Sequence, residues 1–139
     1  MIGKTKSGFS TGLAIIFILL SLSACADRDV FALLDTEGYI RDQKDIVEAA
    51  DWSAAETFEI DIRQNEFRPT IIHLLQGEPY IMLVENRDDF SHILVAEDFF
   101  KTIALRKIIT ETEEISGVNL VVLNLSPGEV KEVHFVPVR

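Results

Sequence analysis

The stretch Thr57-Phe58-Glu59-Ile60-Asp61-Ile62-Arg63 alternates apolar and charged residues without a break. Side chains on a strand point alternately to opposite faces, so a period of two predicts a strand with Phe58, Ile60 and Ile62 on a core and Glu59, Asp61 and Arg63 in water. Working outward, residues 71–75 (Ile-Ile-His-Leu-Leu) form a second apolar run, closed by Gln76-Gly77-Glu78-Pro79, which holds the Gly and Pro of a turn. Residues 80–84 make a third strand, ending at a polar loop, and residues 92–95 a short fourth. The apolar positions between Phe99 and Ile109 fit either a helix face or a turn leading into a strand. Residues 117–125 (GVNLVVLNL) are apolar on both faces, which predicts a central or sandwich-core strand. Ser126-Pro127-Gly128-Glu129 turns the chain into a last strand over residues 130–136. Five or six short strands punctuated by turns predict an all-β chain, an antiparallel sandwich or barrel.

Upstream of these strands the character changes. Residues 26–55 are acidic and weakly periodic; within them residues 42–50 (DQKDIVEAA) suit a short helix with Asp42 as N-cap and Ile46, Val47 and Ala50 on one side. Residues 25–55 are read as an acidic tether ending in a docking turn. At the N-terminus, Lys4 and Lys6 precede the apolar run LAIIFILLSL at residues 13–22, and small residues follow. Basic, apolar, then small is the order of a secretory signal. A membrane-spanning helix needs about 18 unbroken apolar residues, and this run is interrupted by Ser21 and Ser23 and ends at Asp27. Leu22-Ser23-Ala24-Cys25 resembles a bacterial lipobox, which makes residues 1–24 a signal peptide and Cys25 the lipidated first residue of the mature chain. The 115 residues that remain carry a formal charge of −12, because Lys4 and Lys6 leave with the signal. This expectation puts the protein in the bacterial cell envelope, held to a membrane by lipid and facing periplasm or exterior.

Composition removes several classes of function. The chain has 139 residues, enough for one domain, and 47% of them are apolar, enough for a packed core. Its formal charge of −10 is the wrong sign for phosphate backbones, so nucleic acid is not an expected partner. A single cysteine excludes an internal disulfide, a CxxC redox pair and a four-thiolate zinc site. No GxSxG, HExxH or Gly-rich phosphate loop is present, and no constellation supports an enzyme. Among residues able to carry chemistry, His92 stands first: it follows Asn86-Arg87-Asp88-Asp89-Phe90-Ser91 and opens a strand, at a strand end where sites collect. It is either a metal ligand or a loop histidine bonded to a backbone carbonyl. His134, in the last strand, is expected on a sheet surface, and His73 alternates in the same way. Asp88-Asp89 and Glu97-Asp98 flank His92, either as hard-cation ligands or as loop caps and solubilising charge.

Taken in order, Phe67-Arg68-Pro69, Ile71-Ile72-His73-Leu74, Gly77-Glu78-Pro79-Tyr80, Leu83-Val84-Glu85-Asn86 and Ser91-His92 form a spaced series. It resembles the first half of cupredoxins, the plastocyanin-like copper proteins, and is closest to their periplasmic and lipoprotein branch. Glu97-Asp98-Phe99-Phe100 and Leu125-Ser126-Pro127-Gly128-Glu129 match the same branch. The resemblance covers residues 57–139 and implies an antiparallel Greek-key β-sandwich over residues 56–139. It also implies copper as the cofactor, His92 as its first ligand, and electron transfer or copper handling with a redox or envelope partner. The family's remaining ligands, a cysteine, a second histidine and usually a methionine, lie on a loop after a Phe-x-Pro stretch like Phe135-Val136-Pro137, and no residue here matches them. By this resemblance the copper site and the sandwich are incomplete, the sequence being a fragment, a truncated copy or a chain that another completes. The competing expectation is a metal-free sandwich that docks on a membrane partner through an open edge or acidic loops.

Overall fold

A computed structural model describes residues 37–139. The stretch read as a signal peptide and lipobox, with Cys25, lies outside the described residues. From Tyr39 onward the segment read as tether and docking turn is packed on the domain. Helix α1 (Gln43–Ala49) and a single 3-10 turn (Trp52–Ala54) lead into β1 (Glu56–Arg63), β2 (Glu66–Arg68), β3 (Tyr80–Asn86) and β4 (His92–Val95). Helix α2 (Glu97–Phe100) is followed by β5 (Ile103–Ile109), β6 (Glu114–Ile115), β7 (Val122–Leu125) and β8 (Val130–Pro137). The region between Phe99 and Ile109, open to two readings in sequence, holds both a helix end and a strand.

Six strands form one sheet in the order β2-β1-β3-β8-β5-β6, and β4 with β7 forms a second sheet of two. The two sheets enclose the core, so the mostly-β layered architecture holds. A purely antiparallel sandwich does not, because β1 and β3 run parallel, with Phe58 beside Met82 and Ile60 beside Val84. The reason lies in the connection. Gln64 and Asn65 both have positive φ, 57° and 62°, and make the two-residue turn that folds β2 back on β1. Residues 69–79 then return the chain to the end where β1 began, and β3 starts there.

That return overturns a second expectation. Residues 71–75 form no ladder, although their composition suits a strand. Both neighbours of β3 are already taken, by β1 and β8, and β2 occupies the other edge of β1. No edge beside β1 or β3 is left for it, and of this run only Leu74 packs against the core. Residues 117–125 are likewise only partly a strand. Val122–Leu125 pairs with β4, whereas Leu120 fills the core without a ladder.

The core face collects Ile60 and Ile62 from β1, Tyr80, Met82 and Val84 from β3, and Val133 and Phe135 from β8. Leu123 and Leu125 of β7 close it from the opposite sheet. Phe135 is the hub, with ring centroids 5.4 Å from Phe99, 6.0 Å from Tyr80 and 6.4 Å from Phe58. On β5 the apolar spacing Ile103, Leu105, Ile108 breaks the period of two. A bulge between Leu105 and Lys107 restores it, so Leu105 meets Phe135 and Ile108 meets Val133 on one face.

The outer face of the large sheet is also covered at one corner. Tyr39 Oη donates to the Leu120 carbonyl (2.9 Å). Gln43 accepts from the Leu105 amide and donates to Asn119. Trp52 donates to the Val47 carbonyl at 2.8 Å, with the Arg106 guanidinium 4.4 Å from its ring. His134, expected on the sheet surface, is consequently buried, its ring 6.1 Å from that of Trp52.

Replacing Phe135 with Ala empties the centre of the aromatic cluster and is expected to cost about 3–5 kcal/mol. Urea unfolding followed by Trp52 fluorescence measures it, and a loss under about 1 kcal/mol would show that the hub is not where the core is held.

Candidate functional site

The loop between β3 and β4 carries the residues on which the sequence reading placed most weight, and its geometry starts from Asn86. This side chain is fully buried. Its Nδ2 lies 2.8 Å from the Phe90 carbonyl and 3.0 Å from those of Leu125 and Ser126, three acceptors sharing two hydrogens. Its Oδ1 accepts the Asp88 amide at 3.0 Å. Its own amide donates to the Glu129 carbonyl, and its carbonyl accepts from the Gly128 amide. The amide side chain is the group suited to this place, because it offers donors and an acceptor without charge, and buried carbonyls left unpaired are costly.

Asp88, turned inward by that arrangement, accepts the Gln64 amide through Oδ1 (2.7 Å) and the Asn65 amide through Oδ2 (3.1 Å). These are the two residues whose positive φ closes the β1–β2 turn. The two amide bonds, and to a smaller degree His92, hold the Asp88 carboxyl below the usual aspartate range. His92 Nε2 sits 2.8 Å from Asp88 Oδ2, and its ring lies 4.8 Å from that of Phe90. Its side chain is 14% exposed.

The structure therefore brings His92 and Asp88 together and leaves the other candidates apart. Asp89 is exposed, Glu97 pairs with Lys101 at 2.6 Å, and Asp98 is exposed on α2. His73 is exposed on the β2–β3 connection. His134 pairs across the sheet with Ile81, at the end of β3 opposite Asn86, and its Nε2 lies 3.1 Å from Glu132 while its buried Nδ1 has no partner. Among the described residues no three of His, Cys, Asp and Glu come together as a metal-binding group. A blue-copper centre takes a thiolate and two imidazoles in a trigonal arrangement. The donors gathered here are one imidazole and one carboxylate that already holds two amides, and that set does not fit such a centre.

Sequence reasoning missed two residues at this end of the sandwich. Asn86 passed as a loop polar residue, since the Leu125 and Ser126 carbonyls that it serves lie 39 and 40 residues further on and meet it only in the fold. Lys131 alternates with Val133 and Phe135 and so shares their inward face, buried at 2% exposure. Its ammonium reaches Glu129 Oε1 at 3.4 Å, while Glu129 Oε2 accepts the Ser126 amide. A separate cleft of about 960 Å³ lies between α1, β5 and residues 116–119, far in the chain from His92. Its charges, Arg41, Lys44 and Arg106 against Glu37 and Glu48, nearly balance.

Comparison with family models, with curated proteins and with solved structures finds no match to this chain.

Two outcomes follow from the Asn86–Asp88 network. Asn86→Ala strands a buried amide and several carbonyls and is expected to cost about 1–3 kcal/mol in urea unfolding. For Asp88, a folded-state pKa below the ordinary value means that its contribution is fully present above that value, about pH 4, and is lost as pH falls through the depressed one. Wild type is thus expected to be more stable than Asp88→Asn at neutral pH and to lose that lead on acidification. Thermal unfolding of both from neutral to acid pH checks it, and a lead that is flat across the series would contradict the assignment.

Proposed function

We propose that this chain is a lipid-anchored cell-envelope module of cupredoxin-like architecture that acts by docking on an envelope protein partner. In this reading the resemblance to copper proteins accounts for the layered fold and for the position of His92, which Asp88 engages as part of the loop. The observation that carries the proposal is the two-stranded sheet. β4 and β7 pair only with each other among the described residues, so both strands keep an open edge. Three of their four outward side chains are apolar: Ile93 is 62% and Val95 66% exposed, with Val122 opposite Val95 in the ladder and Asn124 opposite Ile93. Phe90 extends the patch from the adjoining loop. Unpaired backbone donors and acceptors beside exposed β-branched residues are what an added strand from a partner binds. Two strands are also too few to stand alone, and their seat on the Leu123–Leu125 side of the core keeps them rigid enough to present that edge.

A photo-crosslinking residue at position 93 in the intact envelope is expected to yield a discrete protein adduct, and one at the exposed position 59 on the other sheet is not. The pair Ile93→Lys and Val95→Lys is expected to remove the adduct of a probe at position 90. Each exposed substitution should shift stability by only about 0.5 kcal/mol, as calorimetry checks. Equal adducts from positions 93 and 59, or none from 93, would sink the docking proposal.

A further inference from the structure

A second set of exposed aliphatic side chains lies on the β2–β3 connection. Ile71 is 71% and Leu75 69% exposed, with Ile72 between them. Residues 70–74 make no backbone hydrogen bond among the described residues, so this run is held by the packing of Leu74 and by the bonds at its end. There the Leu75 amide donates to Tyr80 Oη (2.9 Å), the Gly77 amide to the Pro137 carbonyl (2.8 Å), and Gln76 Nε2 to the Val138 carbonyl.

The same last residues meet the place where the chain enters the domain. The amides of Val138 and Arg139 donate to the Thr102 carbonyl, and the Arg139 guanidinium donates to the Gly38 carbonyl at 3.2 Å. Leu75 and Gly38 thus share one end of the sandwich. Asn86 and the loop to His92 lie at the other end of β3, about 20 Å away for six residues of strand. Cys25 precedes Glu37 by twelve positions, a reach of at most about 42 Å. A tether of that length joins the domain at its Gly38 end and lets that end reach the surface that holds Cys25.

We infer that residues 71–75 are a second membrane contact, with Ile71, Ile72 and Leu75 entering the interfacial layer of the phospholipid bilayer in which the lipid of Cys25 is embedded. The inference rests on the lipid-anchor reading above and adds an orientation to it: the connection faces lipid, and the β4–β7 edge is left free for a partner. Exposed aliphatic surface gains by leaving water. The unbonded backbone limits the depth, since polar groups can stay bonded to water and headgroups only near the interface. Glu78, Glu97 and Asp98 outnumber Lys101 and Arg139 at this end, so zwitterionic headgroups suit it better than anionic ones.

The test uses the full lipidated chain in phosphatidylcholine vesicles with brominated acyl chains, carrying a bimane at Leu75→Cys or, for comparison, at Ile93→Cys. Cys25 is acylated in this reading and takes no label. Flotation of the vesicles reports anchoring in the same sample. The expected result is a floating chain whose label at position 75 is quenched severalfold more than at 93, with that difference reduced in phosphatidylglycerol-rich vesicles. A floating chain with equal quenching at both positions, or none, overturns the membrane contact and leaves the anchor standing. A chain that does not float overturns both.

Discussion

The side-chain amide of Asn86 is the constraint on which the rest of the upper sandwich depends. It stands where the end of β3, the loop to β4 and the turn between β7 and β8 converge, and it satisfies carbonyls from both of the latter. By accepting the Asp88 amide it also turns that carboxylate toward the β1–β2 turn, where it holds Gln64 and Asn65 in a backbone region that residues other than glycine enter at a cost. Three connections remote in sequence are therefore one hydrogen-bonded unit. His92 is fixed by it as a consequence, through its bond to Asp88, and its ring orientation is a property of the loop.

The two layers are unequal, six strands against two, and this shapes everything exposed on the surface. The smaller sheet cannot cover the larger one, so Phe100, Leu120 and Leu74 complete the core from a short helix and from irregular chain. The aliphatic residues left over, on the 71–75 connection and on the outward side of β4, are those for which the topology offers no inward position. On the outer face of the large sheet, α1 and the Trp52 turn cover one corner, with Arg106 laid over the indole.

Much of the strand pattern was legible because alternation is a local property. The stretches around Phe58 to Arg63 and Val130 to Val136 read as strands and are strands. Pairing is not local, and there the reading failed in informative ways. Nothing in Ile71-Ile72-His73-Leu74-Leu75 says that both edges of the neighbouring strand are occupied, and nothing in Phe58 to Ile62 says that its partner runs parallel. His134 looked exposed because the residue that covers it, Trp52, comes from 82 positions earlier in the chain. His92 was legible as a strand-end residue, and its partner Asp88 was weighed as a hard-cation ligand or as a loop cap and solubilising charge, without the turn it caps. Its second role, as the clamp on a turn over 20 residues upstream, depends on the fold and not on spacing.

β8 lies in the middle of the large sheet, hydrogen-bonded to β3 on one side and β5 on the other, and it is made after both. During synthesis the earlier strands have no complete sheet to join. β3 waits about fifty residues for its antiparallel neighbour, and Tyr80 waits 55 and Phe99 36 for the ring of Phe135. Long-range closure of this kind is slow compared with local helix or hairpin formation. The large sheet is thus joined into one only when β8 is made, and until then the β1–β2–β3 and β5–β6 pieces lack the strand that lies between them.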